Sequence, residues 1–560
     1  MANRIFYPEL LRHGPWQEFE RNTARLLLHG GWKDVRLIGR PGDGGADIIA
    51  VALSNEVWLF QCKFSNRRAL EASALAEVRN AGALYSADRL CVVSSQEPAK
   101  SFTKERERLK ALGLDIPHFG PKQLSRMAES VPIYSPNGFE LRDYQKDALD
   151  KLYEAVIESG KGHLVMATGL GKTVVMASLV DNLLSDGQLG DGRVLVLAHT
   201  VPLIDQLLVS FWRHLPKNIA THRYAQGERP TSFEGITFAT VQSFVNIEDP
   251  PNFDLAIIDE AHHLGAPTYI ETLDRIGAPR ILGVTATPWR ADGVSIRNWI
   301  GDPVYHMGIQ DGLANGFLSN IDYRIFADDI DWSMIREQSR YGYTIAQLNK
   351  RLIIPSRDEQ AIREIRKVFE CDGRKRGIVF SPSQIHARSF ASDLRMNGFR
   401  AQALTSEDSS IVRYRRLAEF ASGQLDFLCA VDIFNEGIDV PDVDLLVFLR
   451  VTHSRRIFVQ QLGRGLRISP NKDKVIVLDF VADIRRIHAA LDLRRSSDGD
   501  KLVERLLMQN AIINFSDKRL YSFFNHWIAD LVSIEDYEDD DLVYLPILDP
   551  SEFDFPEPLD

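Results

Sequence analysis

The sequence has few cysteines and no long apolar segment. Its 560 residues include four cysteines, which lie far apart and form no CxxC pair. This spacing argues against a disulfide framework and against a cysteine zinc site. The most apolar run, residues 194–204, is short and interrupted by His199 and Pro202, so it cannot span a bilayer. The first residues lack the apolar stretch of a signal peptide, and we therefore expect a cytoplasmic protein.

Most of the chain also lacks net charge. There are 77 Asp and Glu residues against 66 Lys and Arg residues, a formal net charge of −11. Eleven of the acids lie in residues 534–560, which contain no Lys or Arg, so the rest of the chain is neutral. Residues 1–130 carry 19 bases and 15 acids. The acid excess belongs to one tail, and it does not exclude nucleic acid as a partner.

The length predicts several domains, at about 100–200 residues per domain. Near the amino terminus, a helical pattern is followed by four strand-like runs, which indicates a small α/β unit. From residue 139 on, short apolar strands end in polar residues, as is typical of parallel sheets that carry chemistry at their carboxyl edge. The predicted order is a small α/β domain (1–130), a Pro- and Gly-containing linker (131–138), two α/β domains (139–305 and 306–490), a helical region (491–533) and an acidic tail (534–560).

A glycine-rich segment, MATGLGKT over residues 166–173, lies between a predicted strand and a predicted helix. Gly169 and Gly171 would let backbone amides approach a phosphate closely. Lys172 would bind the outer phosphates and Thr173 would ligate Mg²⁺. The strict phosphate-binding motif has Gly where this chain has Met166, so the motif is a variant.

Two acids follow the apolar strand LAII, 87 residues after Lys172. Asp259 could hold Mg²⁺ at the end of its strand, and Glu260 could position the attacking water. A solvated helix start, which also favours acids, is the alternative. The glycine-rich segment followed by this acidic pair favours an ATP site.

Six motifs in order resemble those of superfamily-2 helicases and translocases, over roughly residues 139–490. They are LRDYQ (141–145), MATGLGKT (166–173), DEAH (259–262), TAT (285–287), IFNEGIDVP (433–441) and QQLGRGLR (460–467). The first domain is most similar to the motor subunits of type I and type III restriction enzymes, which share Met166. The resemblance implies two RecA-like domains with an ATP site between them.

The resemblance also implies roles for individual residues. In the first domain, Gln145 would read adenine, and Asp259, Glu260 and His262 would serve Mg²⁺, water and nucleotide. Thr285 and Thr287 would link the ATP state to domain movement. From the second domain, Gly437, Asp439 and Gln460 would face the nucleotide, and Arg464 and Arg467 would be arginine fingers. Fixed guanidinium groups stabilise a transition state with spread negative charge. A solvated basic helix face is the alternative for the two arginines.

Polar residues after two other strands are candidates for DNA contact. They are His199-Thr200 and the segment 240–243, where hydroxyls and amides could contact phosphates. Such Ser and Thr clusters are also ordinary helix caps.

A second candidate site lies near the amino terminus. Gly44 and Gly45 form a tight turn before Asp47, and Gln61 and Lys63 lie two apart on the next strand, so both point to one face. Two oxygen ligands and a lysine suit Mg²⁺-dependent phosphodiester hydrolysis. Taken alone, the pattern could also be a polar hairpin with an exposed lysine.

The segments WQEFERNTARLLLHGGW, DGGAD and QCK resemble the Mrr-type restriction endonuclease domain of the PD-(D/E)xK nucleases, over about residues 10–127. The resemblance implies that Asp47 and Gln61 are metal ligands, that Lys63 is catalytic and that Glu20 completes the site. Gln61 replaces a carboxylate of the wider group and so removes a negative charge. Asp43 could be a further ligand or could support the turn.

We therefore predict an α/β protein in which an ATP-dependent DNA translocase or helicase is coupled to a Mg²⁺-dependent DNA endonuclease. ATP, Mg²⁺ and DNA, double-stranded by preference, are the expected ligands, and restriction or defence against phage is the expected role. The alternatives are a repair or recombination helicase-nuclease and a motor whose amino-terminal domain only recognises modified DNA. The helical region could bind a partner or a second copy, and the acidic tail could be solubilising, autoinhibitory or a docking segment.

Overall fold

The computed structural model shows an α/β chain built around three main sheets. It describes residues 5–39, 44–136, 138, 140–247, 249–286, 296–308, 311–312, 315–326, 343–344, 355–373, 376–431, 443–449, 465–466, 468, 472, 474–480, 512–514 and 542–543. These residues form two compact units. One contains the described residues up to Leu318 together with Ser406–Asp426, and the other contains the rest. No described helix is long and apolar enough to cross a membrane.

The amino-terminal sheet has five strands in sequence order, antiparallel from β1 to β3 and parallel from β3 to β5. Its strands are β1 Asp34–Leu37, β2 Ile48–Val51, β3 Val57–Lys63, β4 Arg89–Ser94 and β5 His118–Phe119. Its helices are α1 Pro8–His13, α2 Trp16–His29, α3 Ser73–Tyr85, α4 Lys100–Ala111 and α5 Pro121–Ser130. Alternate residues of β2 and β3, including Ile49, Val57 and Leu59, pack with Val78 of α3 in one apolar cluster. The face of β3 that carries the odd-numbered residues is therefore the face covered by α3.

The second sheet has seven parallel strands in the order β12-β6-β11-β10-β7-β9-β8. Its strands are β6 Lys161–Met166, β7 Arg193–Ala198, β8 Thr221–Tyr224, β9 Gly235–Thr240, β10 Leu255–Asp259, β11 Ile281–Thr285 and β12 Tyr305–Met307. Its helices are α6 Asp143–Glu158, α7 Lys172–Ser185, α8 Val201–Trp212, α9 Val241–Val245, α10 Pro267–Ile276 and α11 Arg297–Ile300. The central strands are buried along nearly their whole length, as continuous apolar runs in a parallel sheet predict. The sheet extends past the predicted domain end at residue 305, because β12 adds one more edge strand.

The third sheet also has seven strands, in the order β16-β17-β15-β18-β19-β13-β20. Its strands are β13 Asn320–Phe326, β15 Gly377–Phe380, β16 Ala401–Leu404, β17 Phe427–Ala430, β18 Leu445–Phe448, β19 Lys474–Asp479 and β20 Ile512–Asn514. The accompanying helices are α12 Pro355–Asp372, α13 Gln384–Met396 and α14 Ser410–Ala421, and a separate pair joins β14 Tyr343–Thr344 to β21 Leu542–Val543. All its neighbouring strands are parallel except β20, which pairs antiparallel with β13. The predicted α/β class with parallel sheets is confirmed, but residues 512–514 form a strand within a segment predicted to be helical.

The amino-terminal sheet is joined to the second sheet by buried cations that bind backbone carbonyls. Arg25 of α2, which is 2% exposed, donates to the carbonyl oxygens of Pro216 at 2.8 Å and Ile219 at 2.7 Å. In return, Nζ of Lys217 donates to the carbonyl oxygens of Ala128 and Val131, each at 2.7 Å. Hydrogen bonds to charged donors are stronger than neutral ones. These reciprocal contacts fix the two regions to each other.

The predicted linker is itself tied to both regions. Ser135 donates its hydroxyl to the carbonyl oxygen of Leu28 at 3.1 Å, and Ile133 accepts from the backbone of Lys217 at 2.8 Å. The hydroxyl of Tyr134 donates to the Asp181 carboxylate of α7 at 3.0 Å. Residues 131–138 are therefore held by hydrogen bonds to the regions around both sheets.

Candidate active sites

The glycine-rich loop connects β6 to the first turn of α7. Gly169 and Gly171 have φ angles of 93° and 90°, in the left-handed region that side chains other than glycine rarely adopt. Lys172 is the first residue of α7 and Thr173 the second. The positive end of a helix dipole and free backbone amides thus meet where a phosphate would bind.

Gln145 contacts this loop directly. Its Nε2 donates to the carbonyl oxygen of Leu170 at 2.8 Å, and its Oε1 accepts from the backbone of Arg142 at 3.0 Å. The hydroxyl of Tyr144 donates to the same carbonyl of Leu170 at 2.9 Å. A Cβ added to Gly171 would clash with Nε2 of Gln145, so the glycine makes the close approach possible.

Asp259 and Glu260 lie at the carboxyl end of β10, facing the loop. Glu260 adopts φ 51° and ψ 52°, a strained conformation of the kind that concentrates at functional sites. Its Oε1 is 4.0 Å from Nζ of Lys172, and each side chain is 13% exposed. Burial and the neighbouring Glu260 raise the pKa of Asp259. Burial alone would raise the pKa of Glu260, but Lys172 and His262 together lower it.

The strand order explains how distant motifs meet. In the second sheet β11 lies between β6 and β10, so the carboxyl ends that carry Met166, Thr285 and Asp259 are neighbours. Nδ1 of His262 lies 3.2 Å from the Thr285 hydroxyl and 3.2 Å from a Glu260 carboxylate oxygen. His262 therefore connects two of the predicted motifs.

The proposed DNA-contact hydroxyls cap helices. Thr200 accepts from the backbone of Leu203 at the start of α8, and Thr240 accepts from the backbone of Ser243 at the start of α9. Gln242 is exposed. Contact of these segments with DNA stays a prediction.

Several predicted site residues lie outside the described residues. They are Asp43, Thr287, Gly437, Asp439, Gln460, Arg464 and Arg467. Their roles stay predictions of the resemblance.

The amino-terminal site is assembled on β2 and β3. The backbone of Asp47 donates to the carbonyl oxygen of Phe60 at 3.1 Å, which places Asp47 beside the end of β3. Its Oδ2 accepts from the backbone of Cys62 at 2.6 Å. Gln61 and Lys63 lie on the face of β3 covered by α3, as their spacing predicts. Gln61 is 1% exposed, so its amide is a buried group, whereas the Lys63 side chain is 35% exposed.

Glu20 from α2 reaches the carboxylate of Asp47. A Cβ added to Gly39 would lie 3.1 Å from Oε2 of Glu20 and 3.3 Å from Oδ1 of Asp47, so the two carboxylates border one small space. The pKa of the Cys62 thiol is raised by burial, and then by Asp47 and Glu20. Negative charge is therefore concentrated here.

The donor set fits a hard divalent cation. Oε1 of Gln61 is buried and has no hydrogen-bond partner, and a buried polar atom of this kind needs a ligand or a water. Carboxylate and amide oxygens are the ligands that Mg²⁺ accepts. Within the described part of the chain, no three His, Cys, Asp or Glu side chains form a metal cluster. The candidate donors are the neighbouring carboxylates of Glu20 and Asp47 and, on β3, the amide oxygen of Gln61.

Sequence reasoning missed Glu77. This residue of α3 accepts from Nε2 of Gln61 at 3.0 Å and from Nζ of Lys63 at 2.5 Å. Nothing in the local pattern distinguishes it from other acids on helices. Its position one helix after the QCK strand is the only available signal.

Three family models match the chain in separate segments. The restriction endonuclease model of Mrr type matches residues 11–114, the model of the type III restriction enzyme res subunit matches 138–290, and the helicase conserved C-terminal domain matches 360–469. The predicted resemblance is therefore confirmed. The chain combines a segment similar to an Mrr-type nuclease with two segments similar to a helicase or restriction motor.

Individual relatives agree with this division. The "Putative ATP-dependent helicase IRC3" of Saccharomyces cerevisiae is 27% identical over 356 residues, which cover 61% of this chain and 51% of that protein. The EcoAI endonuclease subunit, a type I restriction enzyme of Escherichia coli, is 26% identical over 385 residues, which cover 61% of this chain and 46% of that protein. The chain thus spans about half the length of these relatives.

A solved structure supports the fold. The ATP-dependent Type ISP restriction-modification enzyme LlaBIII bound to DNA has a TM-score of 0.50 and 16% identity, covering 92% of this chain and 39% of that one. At this identity the similarity shows the fold alone.

Proposed function

We propose that this protein is an ATP-driven DNA translocase or helicase joined to a Mg²⁺-dependent DNA endonuclease, acting in restriction of foreign DNA. One observation carries the proposal. A phosphate-binding loop with its acids and a nuclease-type cluster are built on two adjacent sheets, which contact each other through charged hydrogen bonds.

The second sheet holds the groups that ATP hydrolysis requires. The amides of the loop and Lys172 would bind the phosphates, and Thr173 and Asp259 would hold Mg²⁺. Glu260, whose pKa is lowered, stays ionised and could orient a water or accept its proton. Gln145 would sense the bound nucleotide through the Leu170 carbonyl.

The amino-terminal sheet holds the groups that phosphodiester hydrolysis requires. Asp47, Glu20 and Gln61 would hold a divalent cation, which when bound polarises the phosphate and activates water. Lys63 projects from the same strand face as Gln61, where its ammonium can offset charge that develops on the phosphate.

The nuclease-like region contacts residues from both helicase-like segments. Arg25 and Lys217 join it to the first segment. Helix α14, which belongs in sequence to the segment matched by the helicase C-terminal model, packs Ala418 into the apolar cluster of the nuclease-like region. Arg415 of this helix donates to the carbonyl oxygen of Leu84 at 3.4 Å. These contacts support coupling between ATP use and cleavage.

The comparisons with known proteins also support a proposal for the cellular setting. Restriction subunits among the relatives favour a role against foreign DNA. Cys62, Cys91 and Cys429 are free and buried, which agrees with a reducing cytoplasm.

The test uses the full chain with unmodified, methylated and phage DNA, with Mg²⁺, and with or without ATP. Nicking of the DNA and release of phosphate are measured together. We expect DNA-stimulated ATPase activity and ATP-dependent cleavage of a subset of these DNAs. Asp47→Ala should lose cleavage and keep ATPase activity, with Asp34→Ala as the matched control.

Three results would contradict the proposal. Cleavage that persists in Asp47→Ala would remove the nuclease assignment. Binding to modified DNA without any cleavage would favour a motor with a recognition domain, and preference for forked or gapped DNA would favour a repair enzyme.

A further inference from the structure

A short connecting segment, residues 315–319, contacts the candidate ATP site. The chain first passes from one compact unit to the other between Leu318 and Ser319. Just before this point, the ring of Phe317 stacks on the ring of Tyr144, with 4.3 Å between the centroids and 27° between the planes. The carbonyl oxygen of Phe317 accepts from Nη1 of Arg142 at 3.1 Å. Phe317 therefore contacts two residues of the motif that contains the predicted adenine reader.

The turn that leads into this segment lies against the phosphate-binding loop. The backbone amides of Phe317 and Leu318 both donate to the carbonyl oxygen of Gly312, at 2.7 Å and 3.0 Å. A Cβ added to Gly312 would lie 2.8 Å from Cδ1 of Leu318 and 3.1 Å from Cδ2 of Leu170, so there is no room for a larger residue. The carbonyl oxygen of Leu170 also accepts from Gln145. The turn and the predicted adenine reader thus contact the same residue of the loop.

The other end of the connecting segment bonds to a second ATPase motif. The backbone amide of Ser319 donates to the carbonyl oxygen of Leu466 at 2.9 Å. Leu466 is fully buried and stands in sequence between Arg464 and Arg467, the predicted arginine fingers. A Cβ added to Gly465 would clash with side chains of β18 and β19, so this motif is packed tightly on its sheet. The segment therefore has a direct contact with a predicted ATPase motif at each end.

Very little chain separates these two contacts. Phe317 is held by its ring and its carbonyl oxygen, Ser319 is held by its amide, and only Leu318, which is 2% exposed, lies between them. Two peptide units span at most about 7–8 Å between Cα atoms. A displacement of Phe317 must therefore be followed by Ser319, and so by the backbone of Leu466.

We propose that Phe317 is a positioning residue for ATP hydrolysis, which transmits recognition of the adenine base to the predicted finger motif through Leu318 and Ser319. This inference rests on the proposed ATPase function and extends it to the coupling between base recognition and hydrolysis. An adenine bound by Gln145 would fix the motif on which Phe317 stacks. A base that Gln145 does not match would leave the connecting segment without this constraint, although the loop would still bind the phosphates. The base would then contribute to kcat and not only to binding.

Steady-state hydrolysis of ATP and of GTP by the full chain, with DNA present, separates this role from simple packing. We expect Phe317→Ala to lower kcat for ATP about tenfold or more, because small misplacements away from the chemistry have effects of this size. The kcat for GTP should stay within about twofold, since no base recognition is lost there. A packing role would lower both values by the same factor. Phe317→Tyr keeps the stacked ring and should restore most of the kcat for ATP.

An insertion tests the connection without removing either contact. Two glycines between Leu318 and Ser319 preserve the groups at both ends, and lengthening a loop costs little free energy. We expect the same loss of kcat for ATP as in Phe317→Ala, with KM for ATP within about threefold of the parent value. Two glycines inserted after Gly187, in an exposed turn, are the control insertion. Tyr153→Ala is the control substitution, because this aromatic residue of α6 bonds to Asp186. Far-ultraviolet circular dichroism checks folding of each variant.

Each contrary outcome has a separate meaning. Unchanged kcat for ATP in Phe317→Ala, or an equal loss for ATP and GTP, would overturn the positioning role and leave the motor proposal standing. Unchanged kcat for ATP in the insertion between Leu318 and Ser319 would show that the two motifs act independently, and this variant decides alone where Phe317→Ala does not fold. A parent with equal kcat for ATP and GTP would have no base signal to transmit, which also overturns the inference. Absence of DNA-stimulated hydrolysis in the parent would remove the motor function itself.

Discussion

The candidate ATP site and the candidate nuclease site both pair a lysine with a glutamate, but they differ in their access to water. Lys172 and Glu260 are each 13% exposed and lie 4.0 Å apart. Lys63 and Glu77 are 35% and 45% exposed and lie 2.5 Å apart. The pair with the shorter distance is the more solvated one.

This difference decides which force shapes each site. In the ATP site, burial and the neighbouring Glu260 raise the pKa of Asp259. Lys172 and His262 lower the pKa of Glu260 against the effect of burial, because exclusion of water strengthens electrostatic interactions. In the nuclease site, solvent screens the pair, and exposed ion pairs contribute about 0–1 kcal/mol to stability. The fold therefore fixes the charges of the ATP site, whereas a bound cation would complete the nuclease site.

The two sites also share a device, a glycine with positive φ against a glutamine amide. A Cβ on Gly171 would clash with Nε2 of Gln145, whereas a Cβ on Gly45 would lie 3.3 Å from Nε2 of Gln61. The contact at Gly171 is much the tighter of the two. The glycine of the ATP site therefore has less space beside it than the glycine of the nuclease site.

The strongest test of the comparison exchanges the two lysines for alanine. Lys172→Ala should lower ATPase activity by about 10²–10³-fold or more, since it removes a fixed charge at the transferred phosphate. Lys63→Ala should leave DNA-stimulated ATPase activity within about twofold and abolish nicking. Lys146→Ala, an exposed lysine of α6, serves as the control. A comparable ATPase loss in Lys63→Ala would show that the sites are not separable.

The contacts between the two sheets should be nearly as sensitive. Arg25→Ala removes the side-chain donor from the carbonyl oxygens of Ile219 and Pro216, although Pro216 still accepts from the backbone of Ile219 at 3.2 Å. It also removes a side chain that is 2% exposed. We expect a loss of about 2–4 kcal/mol in unfolding free energy. Chemical denaturation followed by Trp fluorescence measures it, with Arg12→Ala, an exposed arginine, as the control. A change below about 0.5 kcal/mol would mean that other contacts hold the sheets together.

The glycine pair gives a graded test. Gly171→Ala should weaken ATP binding about tenfold or more, because the new methyl group displaces Gln145 and φ is unfavourable. Gly45→Ala has similar backbone strain but more room, so we expect a smaller effect, about three- to tenfold, on Mn²⁺ binding. Calorimetric titration measures both. An effect at Gly45 that exceeds the one at Gly171 would reverse the order of packing inferred here.

The parts predicted from sequence are those encoded over short distances. A phosphate-binding loop needs only eight consecutive residues between a strand and a helix, and Gln61 and Lys63 share a face because a strand alternates. These local rules place each motif at a strand end. The α/β class follows in the same way from apolar runs that are too continuous for a sheet with one wet face.

The parts that were missed depend on which elements pack together. Glu77 is one acid on a helix, and only the packing of α3 against β3 brings it to Lys63. Arg25 reads as a surface arginine in the sequence, yet it is buried by carbonyls almost 200 residues away. Strand β20 pairs at a sheet edge, and such non-local pairing can override a helical pattern. Long-range contacts of this kind leave no local periodic signal.

The smallest expected effect is that of low pH on the free energy of unfolding, through the junction between the amino-terminal sheet and the second sheet. His29 of α2 is buried, and its Nδ1 lies 3.2 Å from the carbonyl oxygen of Pro132. Burial, then the nearby Arg25 and Lys217, lower its pKa to about 3, against 6.5 for the unfolded chain. Between these values the unfolded chain binds a proton that the native protein does not, so the free energy of unfolding falls as the pH drops below about 6.5.

Between pH 7 and pH 6 the loss should be about 0.7 kcal/mol from this residue alone. His29→Gln cannot titrate, so its unfolding free energy should change less over this range, whereas His13→Gln, which removes an exposed imidazole, should follow the parent. Denaturation at both pH values measures the difference. Identical pH dependence in His29→Gln and the parent would show that the junction between the two sheets tolerates a third positive charge beside Arg25 and Lys217. The junction would then be more solvated than the candidate ATP site.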